Sequence, residues 1–577
     1  MVTISNYEFI IELTNRYNNV YSNTIAVGGE VVFSSEQFKD RYTQIGNVTF
    51  KDQVKLVGLE IGKGILFDNC TFERGLIFER IPDLEYKSSF ENKEEAIVFL
   101  KDCTISVLAF RDSELRHPII VSDSEIQVNL YIEELTLYHR FYLNNSQVRN
   151  GLEIHKGSFK EIVIQRKSII NKMHISQSTG LSLSDAEFHG KVKIEALNNK
   201  DQLKIDNCLF RNFVSLECIG AIEFTIEDCR FEKGGVFSNK VVTIGDEKID
   251  YEVKKISLIA SDFSEGFTFS GTSKELVNLS LQLSDKSGGK VAFANWNVIK
   301  NADLTGFNER MKLTFKQCVF EKLNFLNLSN GGIISFDSCG AVKNNTNQNV
   351  LTFDSSEINH TVFNNFDFSS FNEIRLESTS FDQVYFSNVN WFKDDQVKIY
   401  PEVLFDELKN QYKREFYRQI KQGLQSRGNL IDSLEFKARE MKALRDELEA
   451  SGKLKPWHQD WWIMFFNWFN DFGLNWGKAA GSIVGLNVVF YLLTIPLFTK
   501  ELCYSCSTEF SISAYWNALC DNHLVFAELF NPVRRFASVY NVEEVSFGFP
   551  VLDLLHRVFL GILIFQLIRA FRKYVGK

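Results

Sequence analysis

The sequence predicts a mainly β protein. A right-handed parallel β-helix (solenoid) is expected over residues 1–395. A helical hairpin follows at 396–455, an interfacial aromatic helix at 456–478, and two transmembrane helices within 479–577 around an external loop at 499–548. Three observations predict this. A short motif recurs with a fixed short period as far as Thr379. Phe is abundant (53 of 577 residues), whereas five of the seven prolines lie after residue 400. Long apolar runs close the chain.

Composition narrows the function. With 45% hydrophobic and 24% charged residues, the chain matches a folded globular protein and excludes a disordered one. A mean hydropathy of −0.13 excludes a polytopic transporter. The net charge of −9 lacks the basic bias of a general nucleic-acid binder but leaves room for a local basic site. Residues Met1 to Glu8 show no basic stretch leading into an apolar one, so no signal peptide is expected. The bulk of the chain then belongs in the reducing cytosol, without disulfides in the first 400 residues.

The motif is two alternating apolar residues, a polar residue, Cys or a small residue, any residue, then an apolar one. Leu203 to Phe210 and Phe224 to Phe231 are clear copies, centred on Cys208 and Cys229, one period apart. Copies centred on Cys70, Cys103, Ser124, Ser146, Ala186, Cys318, Cys339, Ser356 and Thr379 extend the register, and the long steps 70 to 103 and 229 to 261 read as coils carrying inserted loops. A fixed period of this length built from short strands marks a parallel β-solenoid. The expectation is roughly 17 coils and a rod of roughly 80 Å at ~4.8 Å per coil. Equivalent side chains then stack inside. Phe72, Phe210, Phe231, Phe320 and Phe381 share one motif position, and Cys70, Cys103, Cys208, Cys229, Cys318 and Cys339 share another. These cysteines read as small buried side chains, because they lack the close spacing of metal ligands. Proline is scarce because each N–H serves the ladder. Many β-helices cleave acidic polysaccharides outside the cell. Here neither an export signal nor a repeating carboxylate cluster is present, so no enzyme, cofactor or metal is expected.

From 401 to 455 the chain holds 12 Lys/Arg and 10 Asp/Glu. Leu404, Leu408, Tyr412, Phe416 and Ile420 form one helical stripe, and Leu434, Ala438, Met441, Leu444 and Leu448 a second, on either side of the turn signal Arg427-Gly428-Asn429. The hairpin reads as an oligomerising collar or as a solvated spacer. Five of the eight tryptophans (457, 461, 462, 468, 476) follow close together, a density suited to the headgroup region of a bilayer. Ala479 to Phe498 is uncharged throughout, long enough to span a bilayer. The second span, Phe549 to Ile568, is uncharged only over its second half, Val558 to Ile568. Asp553, His556 and Arg557 in its first half suit a water-lined or oligomer-buried face, and Asp553 and Arg557 are spaced to pair on one helix face. Gln566 and Arg569 lie near its far end. These five are the candidate pore-lining residues. Basic flanks on both spans put both termini in the cytoplasm. The loop then lies outside, where Cys503, Cys506 and Cys520 suit a disulfide of open pairing. No potassium-filter sequence is present. A pore would require a homo-oligomer, because one two-helix hairpin cannot enclose one.

Phe416-Tyr417-Arg418-Gln419-Ile420-Lys421-Gln422, then Gly428-Asn429, then Glu435-Phe436-Lys437-Ala438-Arg439-Glu440-Met441 resemble a linker of bacterial proteins that join pentapeptide-like β-solenoids to membrane helices. The ending Leu567-Ile568-Arg569-Ala570-Phe571-Arg572-Lys573 is similar to that family too. By layout more than by residue identity, the architecture resembles the channel effectors of the Hailong antiphage defence system. The resemblance implies a tetrameric inner-membrane channel. Its cytosolic β-helix would sense a single-stranded DNA oligomer, oligodeoxyadenylate, made by a partner nucleotidyltransferase. The ligand would hold the channel shut, and its loss during infection would depolarise the membrane and kill the cell. A local basic stretch offers a place for such a ligand: Tyr138 and Arg140, then Arg166, Lys167, Lys172 and His174. Bases would stack on tyrosine while cations meet phosphate, although the same residues also read as an ordinary solvated face. The alternative to a channel is a non-conducting, membrane-anchored scaffold whose rod binds a partner protein.

Overall fold

A computed structural model of the chain describes residues 2–15, 20–33, 42–59, 64–82, 98–115, 118–198, 202–238, 242–244, 247–249, 253–271, 275–343, 349–381, 383–401, 405–453, 455, 459–469, 471–499, 512–540 and 545–575. It forms two compact units, one of Met1–Thr379 with Gln383–Lys398, the other of Ser380–Asp382 with Ile399–Lys577. The division falls at residue 398, against the expected 395.

The first unit is a parallel β-solenoid of about 15 turns. The count is below the expected 17 because inserted segments consume chain. One of them carries an antiparallel hairpin, Val242–Ile244 with Glu247–Ile249. Each coil pairs in parallel with the next. Leu203 faces Phe224 and Phe224 faces Ile256, so residues of one type align in columns. Phe188, Phe210, Phe231 and Phe263 stack at centroid spacings of 4.9, 4.6 and 5.0 Å. A second column runs through Phe269, Phe293, Phe315, Phe336, Phe363 and Phe386. Fully burying one such ring contributes about 1.5–3 kcal/mol, so the Phe surplus is the core itself. Phe381 departs from the expected column. It belongs to the second unit, its ring edge-on to Phe416 at 4.8 Å.

The residue before each buried Cys or Ser turns the corner. Asn69, Asp102, Asp123, Asn145, Asn207 and Asp228 all have φ between 47° and 53° except Asn145 at 44°, a left-handed conformation that Asn and Asp tolerate best after Gly. The next side chain then points inward and bonds the corner. Ser124 Oγ donates to the Ser122 carbonyl (2.7 Å) and accepts from the Cys103 amide (3.0 Å). Cys229 Sγ likewise donates to the Glu227 carbonyl (3.1 Å) and accepts from the Cys208 amide (3.5 Å). The six solenoid cysteines are therefore buried, free and interchangeable in role with serine. At the N-terminal end helix α1 (Asn6–Asn15) lays Phe9 and Leu13 over the first coils, Phe9 edge-on to Tyr21, Phe33 and Phe50. It covers an end that would otherwise expose apolar core.

The second unit is helical: α2 (Asp406–Ser426), α3 (Leu430–Ala450), α4 (Gln459–Trp468), α5 (Trp476–Phe498), α6 (Ile512–Asp521), α7 (His523–Glu528), α8 (Phe536–Val539) and α9 (Phe549–Val575). α2 and α3 form the hairpin, with the Asn429 side chain accepting from the Asp432 amide as N-cap. Arg414–Glu447 (3.0 Å) and Lys421–Glu440 (2.6 Å) cross between them. The first expected stripe is buried at Phe416 and Ile420, while Leu408 and Tyr412 remain exposed; Leu404 lies outside the described residues. Ala438, Met441, Leu444 and Leu448 of the second stripe pack on Met464, Phe472 and Leu474. The aromatic segment is not one helix. It breaks at Asp471 and Phe472 (φ 50° and 57°), and Asn475 caps α5 by accepting from the Lys478 amide.

Candidate functional site

The solenoid candidates divide among three places. Strand Asn129–Asn144 passes a left-handed corner at Glu134 (φ 50°). Its first part pairs with 151–155, which pairs with 172–176; its second part pairs with 158–165. Tyr138 and Arg140 therefore stand on one sheet face and Lys172 and His174 on another, with Arg166 and Lys167 at the corner between. Most of these groups are already engaged. Tyr138 donates to Glu114 (2.6 Å), Arg140 pairs with Glu161 (2.8 Å), and His174 meets Glu195 (3.0 Å), which also binds Lys193 (2.6 Å). Burial raises the Glu195 pKa, but Lys193 and His174 outweigh it and hold the carboxyl below its ordinary value. At the corner, Arg166 and Lys167 both have positive φ (58° and 62°), where neighbouring coils use one such residue. They line a groove of about 550 Å³ with Asp185, Glu187 and Asn207. The groove can hold an anion against the two cations, with Asp185 and Glu187 as competing charges.

The second unit carries a more connected site. α5 and α9 contain the two candidate membrane spans, Trp476–Phe498 and Phe549–Phe571, with mean hydropathies of 1.9 and 2.0 and only 33% and 28% buried. The core helix of a soluble protein would be mostly covered. Here Val484, Val489 and Leu493 of α5, and Val551, Leu554, Leu555 and Phe565 of α9, are exposed. Trp462, Trp468 and Trp476 are exposed at the end where α5 begins, and Lys478 Nζ sits 4.4 Å from the Trp468 ring centroid.

Polar groups gather between the helices. Asp553 and Arg534 are buried and paired at 2.5 Å. Arg557 Nε lies 3.0 Å from the other Asp553 oxygen without the direction of a hydrogen bond, and its Nη1 donates to the Arg534 carbonyl (3.1 Å). Arg534 also reaches His556 Nδ1 (3.1 Å) and the Leu529 and Asn531 carbonyls. Tyr540 donates to Asp553 (3.3 Å), and burial first, then the Asp553 charge, push its phenol up. The His556 ring lies on Phe490 at 4.0 Å. Arg534 was not singled out from the sequence, although a lone acid in an apolar helix signals a buried cationic partner.

Of the candidate pore-lining residues, Asp553, His556 and Gln566 are thus buried within this single chain, His556 against Phe490 of α5. Arg557 is 24% exposed, and Arg569 donates to Asn467 of α4 (2.8 Å). The loop between the spans folds onto their ends: Ala518, Leu529 and Tyr540 pack with Tyr491, Ile495, Phe498 and Phe549. Cys520 is exposed and free, whereas Cys503 and Cys506 lie outside the described residues. Among the described residues no group of His, Cys, Asp and Glu could hold a metal.

Fold and site together define a β-solenoid protein with a helical unit suited to membrane anchoring. Comparison with protein-family models, with curated proteins and with solved structures finds no match to this chain.

Proposed function

We propose that the chain is a homo-oligomeric ion channel or pore effector of the bacterial inner membrane, two-pass with both termini cytoplasmic, whose solenoid senses a ligand. The observation that carries the reading is the network in which Asp553 and Arg557, in the first turns of a candidate span, meet Arg534 from the preceding loop. Ionisable groups at that depth are costly and mark function by default. An oligomer has a contact face available. Gly477, Gly481 and Gly485 recur on the exposed side of α5, and a Cβ on Gly481 or Gly485 would meet nothing within 4 Å. Small residues so spaced let membrane helices approach closely. Asp553 and His556 then act inside each protomer, fixing α9, so altering them changes gating more than lumen charge. The resemblance in layout adds the tetramer, antiphage defence by depolarisation and cell death, a single-stranded DNA oligomer as ligand and its nucleotidyltransferase as partner. The corner at Arg166 and Lys167 is the place for the phosphates. No reaction is assigned to the chain.

Planar-bilayer conductance of the purified oligomer tests the reading, with and without co-purifying nucleic acid. Current that responds to the nucleic acid supports it. No current under any ligand rejects it in favour of a non-conducting membrane-anchored scaffold for a partner protein. Enclosure of Asp553 and His556 within one chain is the observation favouring that second reading.

A further inference from the structure

We propose that the rim of the helical unit at Arg535 and Arg557 binds the phosphodiester of an anionic phospholipid. The proposal rests on the membrane reading above and takes Arg557 toward lipid rather than toward a lumen.

Charge is the first reason. Two guanidinium groups, Arg534 and Arg557, share one carboxylate, Asp553, and a third, Arg535, is the next residue along the chain from Arg534. Arg535 is exposed and has no ion pair among the described residues. Arg557 is partly exposed, and its Nε has no hydrogen-bond partner among the described residues. Among the described residues, then, three guanidinium groups stand at this rim against the one carboxylate.

Geometry is the second. Arg557 Nη1 donates to the Arg534 carbonyl at 3.1 Å. That carbonyl belongs to the peptide joining Arg534 to Arg535, so the Arg557 head group lies beside the backbone from which Arg535 springs.

Depth is the third. Arg557 lies two turns past Phe549, about 12 Å along the helix at ~1.5 Å per residue. Helical side chains lean toward the N-terminus, which here is the near surface. The uncharged stretch that follows, Val558 to Ile568, covers about 16 Å of a hydrocarbon layer ~30 Å thick. On this face headgroups must be drawn inward to the arginine. Leu554 and Val558, 54% and 52% exposed beside Arg557, offer contact for the acyl chains of the same lipid. Basic pockets beside membrane helices select anionic headgroups for these reasons.

Native mass spectrometry of the full chain in detergent provides the test, with phosphatidylglycerol or phosphatidylcholine of matched acyl chains as probes. The wild type retains phosphatidylglycerol in preference. Arg535→Gln and Arg557→Gln each lower that retention about fivefold, while Arg557→Lys keeps most of it. Arg535 lies outside the buried Arg534–Asp553 pair, so its variant keeps the wild-type melting temperature. Equal retention of the two lipids by the wild type overturns the proposal. So does unchanged phosphatidylglycerol retention in both glutamine variants, including the case where Arg557→Gln shifts conductance instead. Carbonate extraction separates the two failures: a chain released from membranes removes the membrane reading as well, and a chain that stays with unchanged lipid retention removes only the lipid site.

Discussion

Phe336 is the sharpest place to test the solenoid core. Its ring is fully buried between Phe315 (4.9 Å, 6° between planes) and Phe363 (5.3 Å, 8°). Phe320, Phe325 and Phe366 meet it edge-on, with ring centroids 6.3, 5.9 and 5.8 Å away. Phe336→Ala removes the ring and leaves a cavity that stacked strands cannot close, costing about 3–5 kcal/mol. Phe336→Leu keeps most of the burial and loses two stacked pairs at about 0.5–1.5 kcal/mol each, a cost of about 1–3 kcal/mol. In a solenoid each coil contacts only its neighbours, so the loss stays local. Hydrogen–deuterium exchange of the full chain reads this directly. Peptides covering Lys312–Lys316, Ile333–Asp337 and Thr361–Asn364, which pair in that order, should exchange about a hundredfold faster in the alanine variant, as ~3 kcal/mol requires. Strand Thr43–Phe50, many coils away, should be unchanged. Equal acceleration at both places would refute nearest-neighbour coupling, and no change near Phe336 would refute the stacked core.

Asp553→Asn leaves the Arg534 charge buried without its counterion and should cost about 3–5 kcal/mol. Thermal unfolding in detergent measures it, and the double variant Arg534→Met with Asp553→Leu should recover most of the loss; a double variant as unstable as the single one would contradict the pairing. Cys70, Cys103, Cys208, Cys229, Cys318 and Cys339 are buried, and burial pushes the Cys229 thiol up, so iodoacetamide should label them only after denaturation. Exposed Cys520 should react in the native chain, with peptide mapping as the readout. Cys208→Ser should change stability by less than about 1 kcal/mol, because Ser124 and Ser146 fill the same corner with the same bonds. Cys208→Val, which adds volume and removes the donor, should cost about 1–3 kcal/mol by chemical denaturation.

Periodicity was readable because a solenoid repeats side-chain identity with geometry. The Cys or Ser after each corner must be small and bond backward, so it recurs in the chain as it recurs in space. Coil number was less readable, since insertions such as 239–252 hide a period behind extra residues. The basic stretch from Tyr138 to His174 shows a stronger limit. Proximity along the chain places these residues on consecutive faces, because a corner at Glu134 turns the strand away, and their acidic partners sit on other coils. Glu161 meets Arg140 and Glu195 meets His174 across rungs, a relation that local composition does not carry. At Asp553 the (i, i+4) neighbour Arg557 was legible. The closer partner, Arg534, comes from the loop before α9, at no helical spacing from Asp553, and was not.

The helical unit holds α9 at both ends by different chemistry. Near Phe549 the hold is the buried Arg534–Asp553 pair, set in loop elements packed on α5. At the far end Arg569 binds Asn467, and α4 in turn packs on α3 through Met464. Lys437 of α3 feels the same end: burial, then the Arg569 charge, pull its ammonium below the ordinary value. Between the two holds Leu560 and Leu563 pack in an apolar cluster with Ile483, and apolar contacts resist sliding less directionally than ion pairs. Under the proposed channel function, a displacement of the hairpin would reach α9 at Arg569 while Asp553 anchors the other end. Such a displacement rotates or bends the helix rather than translating it. If the channel reading holds, Arg569→Gln should uncouple the hairpin from conductance and Asp553→Asn should loosen the anchor, so single-channel records of the two variants should differ in kind: fewer ligand-dependent transitions for the first, unstable open levels for the second. Identical records from both would mean that α9 moves as one rigid body with the loop, and that the two holds have no separate roles.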